Sequence, residues 1–357
     1  MQSDLIDKTN NSITGSFRSA VLVSINRKLV ITDGIRVPEL KKGQIITRNL
    51  FSGLCHSQLM EVRGKRGEDK YLPHMLGHEG VGVVERVGEG VTKVKVGDKV
   101  VLGWIKGDGI DAGGTVYDSP MGKINAGAVT TFSTHSVVSE NRVVKLPDNF
   151  NTKAAVLLGC ALPTGAGIVL NQLQPKPNST VLVYGLGGIG LSALLALHHF
   201  ENIKIIVVDI EQSKLDLAKE FGADECYLAS ENSIQQLKQN HANDIDYAVE
   251  AAGSAHSIEQ AFELVRRGGK CIFASHPPHE EKITIDPFEL ICGKQIEGSW
   301  GGGSQPDKDI PILADIISKY NLPVLKMLSN EYRLEDINQA LDDLESRKIV
   351  RALIRMD

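Results

Sequence analysis

The six residues Gly185-Leu186-Gly187-Gly188-Ile189-Gly190 restrict the fold of this 357-residue chain more than any other segment. They follow the apolar run VLVY (181–184) and precede LSALLALHHF, which reads as strand, tight turn and helix. In a GxGxxG turn of this kind the first glycine permits the bend. The second lets the backbone approach a pyrophosphate, and the third allows close helix–strand packing. The amino end of the helix then faces the anion. Asp209 ends the next apolar run, KIIVVD, about 20 residues on. A carboxylate there accepts hydrogen bonds from the adenine-ribose hydroxyls and repels a 2′-phosphate, so NAD is expected in preference to NADP. Lys214, on the following helix, could also reach the ribose, although a helix lysine is commonly only solvated.

The alternation continues. After VLVY and KIIVVD come YLA, DIDYAVEAAG, GKCIFAS and, at 295–300, QIEGSW, separated by helical segments. Six such strands imply a doubly wound parallel sheet of Rossmann type. The flanking parts differ. SAVLVSI (19–25), GQIITRNLFS (43–52), GVGVVERVG (80–88) and DKVVLGWI (98–105) are short β-rich pieces punctuated by Gly, Pro and Asp. Residues 101–128 are glycine-dense and read as loop. Helices are expected near 307–319 and 334–346, with a closing strand IVRALIRM. A chain in this order can bring its two ends together as one domain around an inserted one.

Composition narrows the function. The net charge is −5, which argues against a nucleic-acid partner held by bulk charge. There is no apolar run of about 18 residues, so no membrane span is expected. The polar stretch MQSDLIDKTNNSITGS lacks the apolar core of a secretory signal. Five cysteines at 55, 160, 226, 271 and 292 are too sparse for a disulfide framework, and a cytoplasmic location is expected.

Cys55, His78 and Cys160 are candidate metal ligands, with Glu79 beside His78. Thiolate with imidazole suits zinc, and three protein ligands with an open fourth position is the catalytic arrangement. The spacings are not those of a zinc finger, and a lone cysteine is commonly a small buried hydrophobe, so on these residues alone both readings stand.

GHEGVGVVERVG (77–88), GDKVV (97–101), GLCHS (53–57), GCALPTGAG (159–167), GLGGIG and the closing IVRALI occur in one order along the chain. Together they resemble the zinc-containing medium-chain alcohol dehydrogenase family. The resemblance implies a GroES-like, β-rich catalytic domain, residues 1–161 and 304–357 with 1–16 as a loose tail. An NAD-binding Rossmann domain, 162–303, would be inserted in it. It implies that Cys55, His78 and Cys160 hold one catalytic zinc, with Glu79 tuning or transiently ligating it. Ser57 matches the hydroxyl that takes the alcohol proton. His56 and Arg351 match pyrophosphate contacts, Thr164 a residue packed on the nicotinamide, and Trp104 a substrate-pocket aromatic. The implied reaction is hydride transfer between an alcohol and NAD in a homodimer or homotetramer.

Three positions depart from the family pattern. Residues 102–128 contain no cysteine, so no structural zinc is expected. Met60 stands where some members have a histidine that ends a proton relay. Gln58 stands where an aspartate often orients the zinc histidine, and its oxygen could accept that N–H without charge. The segment EVRGKRGEDKYLPH between the first two ligands carries Arg63 and Arg66, either as a solvated loop or as a cationic rim for a sugar phosphate or nucleotide sugar. A simple alcohol, polyol or sugar is the other substrate class. His276 follows GKCIFAS and is a further candidate for cofactor contact. The competing readings are a zinc-free enone or quinone reductase, which would lack the ligand triplet, and a non-catalytic dinucleotide-binding protein.

Overall fold

Two β-systems organise the first unit in the computed structural model, which describes residues 15–275, 277 and 281–357. One is a closed barrel of strands Ser16–Leu22, Val30–Arg36, Thr115–Ser119, Gly122–Ala126 and His74–Met75. Phe17, Val21, Ile35, Met75, Tyr117 and Ile124 are buried together in one cluster there. The other is a sheet in the order Val143–Lys145, Lys99–Gly103, Glu79–Val87, Gln44–Leu54, Ala352–Arg355 and Glu331–Arg333, with His135–Ser139 also paired to Gln44–Leu54. The closing strand runs antiparallel to Gln44–Leu54, Ala352 facing Leu54 and Arg355 facing Phe51. The two ends of the chain therefore share one sheet.

The glycine-dense stretch 101–128 is not all loop. Thr115–Ser119 and Gly122–Ala126 form an antiparallel hairpin, with Tyr117 fully buried opposite Ile124. Alternating burial along TVYDS is the period of a half-buried strand.

The second unit is built on a six-stranded parallel sheet in the order Glu225–Leu228, Lys204–Asp209, Thr180–Tyr184, Tyr247–Glu250, Lys270–Phe273, Gln295–Gly298. The sequence order steps outward from the first strand in one direction and then the other, the doubly wound pattern of dinucleotide-binding sheets. Its central strands Thr180–Tyr184 and Lys204–Asp209 are buried along almost their whole length, as in a sheet covered on both faces.

The compact units are the described residues up to Cys160 with Met327–Asp357, and Ala161–Lys326. The chain thus returns to the first unit at Met327, later than the expected 304. Helix Pro306–Lys319 is the reason: it packs on helices Ala161–Gly167 and Gly188–Leu197, burying Ile310, Leu313 and Ile316 within the second unit. Among the described residues, no helix is long and apolar enough to cross a membrane.

Candidate active site

Strand Gln44–Leu54 delivers Cys55, which caps helix His56–Val62 in an extended conformation. His78 follows Gly77, whose φ is +93°. A Cβ on Gly77 would lie 2.5 Å from the Phe132 nitrogen, so both backbone sign and space require glycine there. Cys160 follows the 3₁₀ segment Ala154–Gly159. One ligand atom from each of Cys55, His78 and Cys160 lies within 4.8 Å of the other two. His78 Nε2 is 3.2 Å from Cys160 Sγ.

The electrostatics suit a cation. The Cys55 thiol is held well below the ordinary range, first by a hydrogen bond from the Cys160 thiol, against burial, and then by His78 and Arg351. Cys160 is pushed correspondingly up by its bond to Cys55 and by burial. Burial lowers His78, but the Cys55 hydrogen bond and the charges of Cys55 and Glu79 raise it further. One sulfur is thus favoured as thiolate beside a thiol, and a divalent cation replaces protons in a set of this kind. Two sulfurs and one imidazole are the donor set of a catalytic zinc, so the residues present fit that metal.

Glu79 is fully buried behind His78. Burial pushes its carboxyl up while the Arg351 guanidinium opposes this. Arg351 donates to Glu79 Oε1, and its Nη2 is 3.9 Å from Cys55 Sγ. Arg351 was expected at a pyrophosphate; within the first unit its partner is a carboxylate. Glu79 Oε2 is buried and accepts no hydrogen bond. The Glu79 carbonyl accepts from the hydroxyls of Ser52 and Thr131, both at 3.0 Å. Neither hydroxyl was anticipated, since nothing local in the sequence ties Ser52 or Thr131 to Glu79.

The Ser57 hydroxyl oxygen is buried without a hydrogen-bond partner, whereas the neighbouring His56 is exposed. Gln58 is buried, but its Oε1 accepts nothing, so the anticipated bond to His78 is not formed. Trp104 is half-buried, and its carbonyl accepts from the buried Arg142 guanidinium. Arg63 donates to Asp342 Oδ1 at 2.6 Å and to Glu345 Oε2 at 2.7 Å. These two carboxylates neutralise it, which removes one of the cations of the supposed rim.

In the second unit Gly187 caps helix Gly188–Leu197. A Cβ on Gly187 would meet nothing within 4 Å, which leaves open space above the turn. A Cβ on Gly190 would lie 1.8 Å from the Gly185 carbonyl oxygen. Asp209 Oδ2 accepts from the Leu186 N–H at 2.6 Å, and Oδ1 from the Glu211 N–H at 3.0 Å, which fixes the carboxylate at the turn. Lys214 Nζ is 2.9 Å from Glu211 and 3.9 Å from Asp209. This cradle fits a dinucleotide phosphate and an adjacent ribose. Thr164 is buried with its Oγ1 unpartnered. Glu250, unforeseen, is fully buried and accepts from the N–H groups of Ala252 at 2.8 Å and Gly253 at 3.1 Å. His276 lies outside the described residues.

Comparison with known proteins agrees with this geometry. A family model described as the alcohol dehydrogenase GroES-like domain matches residues 41–148, and one described as zinc-binding dehydrogenase matches residues 188–319. An S-(hydroxymethyl)glutathione dehydrogenase of Escherichia coli (strain SMS-3-5 / SECEC) is 30% identical over 369 residues, 95% of this chain and 99% of that protein. The protein of the same name from Synechocystis sp. (strain ATCC 27184 / PCC 6803 / Kazusa) is 28% identical over 94% of this chain and 99% of its own. A solved alcohol dehydrogenase zinc-binding domain protein from Burkholderia ambifaria superposes with a TM-score of 0.88 at 27% identity, covering 96% of this chain and 99% of that one. Benzyl alcohol dehydrogenase from Acinetobacter calcoaceticus gives 0.85 at 26%, covering 96% and 100%. The chain belongs to the zinc-type medium-chain alcohol dehydrogenase family, whose members are oxidoreductases acting at a CH–OH carbon.

Proposed function

We propose that this protein is a zinc-dependent, NAD-linked dehydrogenase that interconverts an alcohol and its aldehyde or ketone. The observation that carries this reading is the convergence of Cys55, His78 and Cys160 within 4.8 Å. Zinc on these three would act as a Lewis acid toward the substrate oxygen, and the nicotinamide would exchange hydride with the carbon. Ser57 Oγ, buried and unpartnered, would take the alcohol proton and pass on its own. Met60 cannot continue that relay, so the proton leaves through the ribose or water. Glu79 Oε2 is the further oxygen available to the metal. Trp104 would wall the substrate pocket, held by Arg142. Asp209 would accept from the adenine ribose and favour NAD over NADP, with Lys214 neighbouring it. His56 and Arg351 would meet the pyrophosphate, and Thr164 the nicotinamide. One catalytic zinc per chain follows from the missing cysteine lobe.

The ion-paired Arg63 favours an uncharged alcohol over a sugar phosphate or nucleotide sugar. The exposed edge strand Gln295–Gly298, with Ile291 79% exposed nearby, supports assembly as a homo-oligomer. The test is a substrate screen on zinc-replete protein with NAD and with NADP. It covers simple and benzylic alcohols, polyols, S-(hydroxymethyl)glutathione, sugar phosphates and nucleotide sugars. NAD reduction that stops on chelation supports the reading. Metal-independent reduction of enones or quinones would replace it with the zinc-free reductase.

A further inference from the structure

The chain between Cys55 and His78 assembles a different group of donors. Glu61 lies on helix His56–Val62, Asp69 in the following loop and His74 on strand His74–Met75. One ligand atom of each lies within 4.8 Å of the other two. His74 Nε2 is 2.7 Å from Asp69 Oδ2 and 3.8 Å from Glu61 Oε1. The histidine is 7% exposed, and the Asp69 side chain 13%.

The other ring nitrogen decides what this arrangement needs. His74 Nδ1 is 2.9 Å from the Met75 carbonyl oxygen. A carbonyl only accepts, so Nδ1 carries the hydrogen. In the neutral ring Nε2 then directs a lone pair at two carboxylates, and three acceptors face one another. A positive centre must sit among them, either a proton on Nε2 or a metal ion. An imidazole pinned through Nδ1–H to a backbone carbonyl, with Nε2 free to bind, is the outer-shell arrangement of metal-ligating histidines. The carboxylates are also preset. Asp69 Oδ1 accepts from the Tyr71 N–H at 2.9 Å, which leaves Oδ2 turned to the ring. Arg66 approaches the other Glu61 oxygen only to 3.9 Å.

We propose that Glu61, Asp69 and His74 form a second metal site, for a divalent first-row cation such as Mn²⁺ or Zn²⁺, separate from the cysteine–histidine set. Imidazole selects against Mg²⁺ and Ca²⁺, and the lack of sulfur makes the site weaker for zinc than Cys55, His78 and Cys160. The bound ion would brace the loop between helix His56–Val62 and strand His74–Met75. The proposal is independent of the substrate and of hydride transfer, and it adds a weaker cation to the one catalytic zinc.

The test loads the protein with one equivalent of zinc, then titrates Mn²⁺ and follows the free-ion electron paramagnetic resonance signal. The expected result is uptake of one Mn²⁺ per chain, weakened about 10-fold or more in Asp69→Asn and in His74→Gln, and displaced by further zinc. Electron spin-echo modulation of the wild-type complex should show coupling to one histidine nitrogen, a readout that needs no variant. No uptake by the wild-type chain, no nitrogen coupling, or equal uptake by folded variants would overturn the site and leave His74 as the hydrogen-bonded partner of Asp69.

Discussion

The Arg351 guanidinium and the Glu79 carboxylate form a buried ion pair between the residue before the closing strand and the residue after His78. Removing one partner of such a pair costs about 3–5 kcal/mol, because the other charge stays in the interior unmatched. Arg351→Ala should therefore lower unfolding stability by about that amount. The double variant Arg351→Ala/Glu79→Ala should be less destabilised than the sum of the two single ones. Denaturant unfolding of all four proteins checks this, and strictly additive losses would show that the pair is not coupled.

Ser57 can be separated from stability. Its hydroxyl is buried and unpartnered, so Ser57→Ala removes no hydrogen bond from the free protein. Thermal stability, zinc content and NAD affinity should be unchanged while kcat falls by about 10²–10⁴-fold, the usual weight of a positioned proton-transfer group. Ser57→Thr, which keeps the hydroxyl, should retain most of the rate.

The glycine turn offers a pair of substitutions with opposite signatures. Gly190→Ala forces a Cβ to 1.8 Å from the Gly185 oxygen and should unfold the second unit or lower its melting temperature steeply. At Gly187 an added methyl meets no protein atom within 4 Å. Gly187→Ala should melt normally and yet bind NAD weakly, because the methyl occupies the space a pyrophosphate needs. Calorimetric melting combined with NAD titration distinguishes the two. Normal NAD binding by Gly187→Ala would remove the phosphate from this turn.

Asp209→Asn keeps an oxygen for the Leu186 or Glu211 N–H and loses the charge. Hydrogen bonds to a charged group contribute about 1.5–3 kcal/mol. The KM for NAD should rise roughly 10- to 100-fold, while that for NADP changes less or falls. Steady-state kinetics with both cofactors gives the answer.

Chelation gives a fifth kind of evidence. Removal of the Cys55–His78–Cys160 metal should abolish dehydrogenase activity and leave the parallel sheet of the second unit folded, since all three ligands belong to the first unit. Readdition of one equivalent of zinc should restore the rate. Restoration that needs two equivalents would argue for a second tight zinc.

The parts of this structure that were readable beforehand are those encoded by short-range pattern. VLVY before GLGGIG and the helix after it form a local unit whose spacing is its meaning. The unread parts depend on residues far apart in the chain. Arg351 and Glu79 carry no mutual signal, nor do Ser52 and Thr131 as clamps on the Glu79 carbonyl. Gln58 was given an orienting bond from its position, but orientation depends on side-chain reach, and its oxygen meets no donor. The Thr115–Ala126 hairpin was hidden by surrounding glycines, although the alternation of Thr115 and Tyr117 was there to be read. Helix Pro306–Lys319 looked like the start of the returning segment, yet its apolar face matches the second unit.

The pairing of Ala352–Arg355 with Gln44–Leu54 also sets an order of events in synthesis. A ribosome releases Cys55, His78 and Cys160 long before Arg351. Every strand of the inserted sheet emerges in the interval and can close on its neighbours. The unit that carries Cys55, His78 and Cys160 is begun before the inserted sheet and completed after it. Until the Arg351 segment arrives, Glu79 lacks its counter-ion and one side of Gln44–Leu54 lacks a partner. Formation of the Arg351–Glu79 pair is thereby tied to a segment that is made only after the whole inserted sheet.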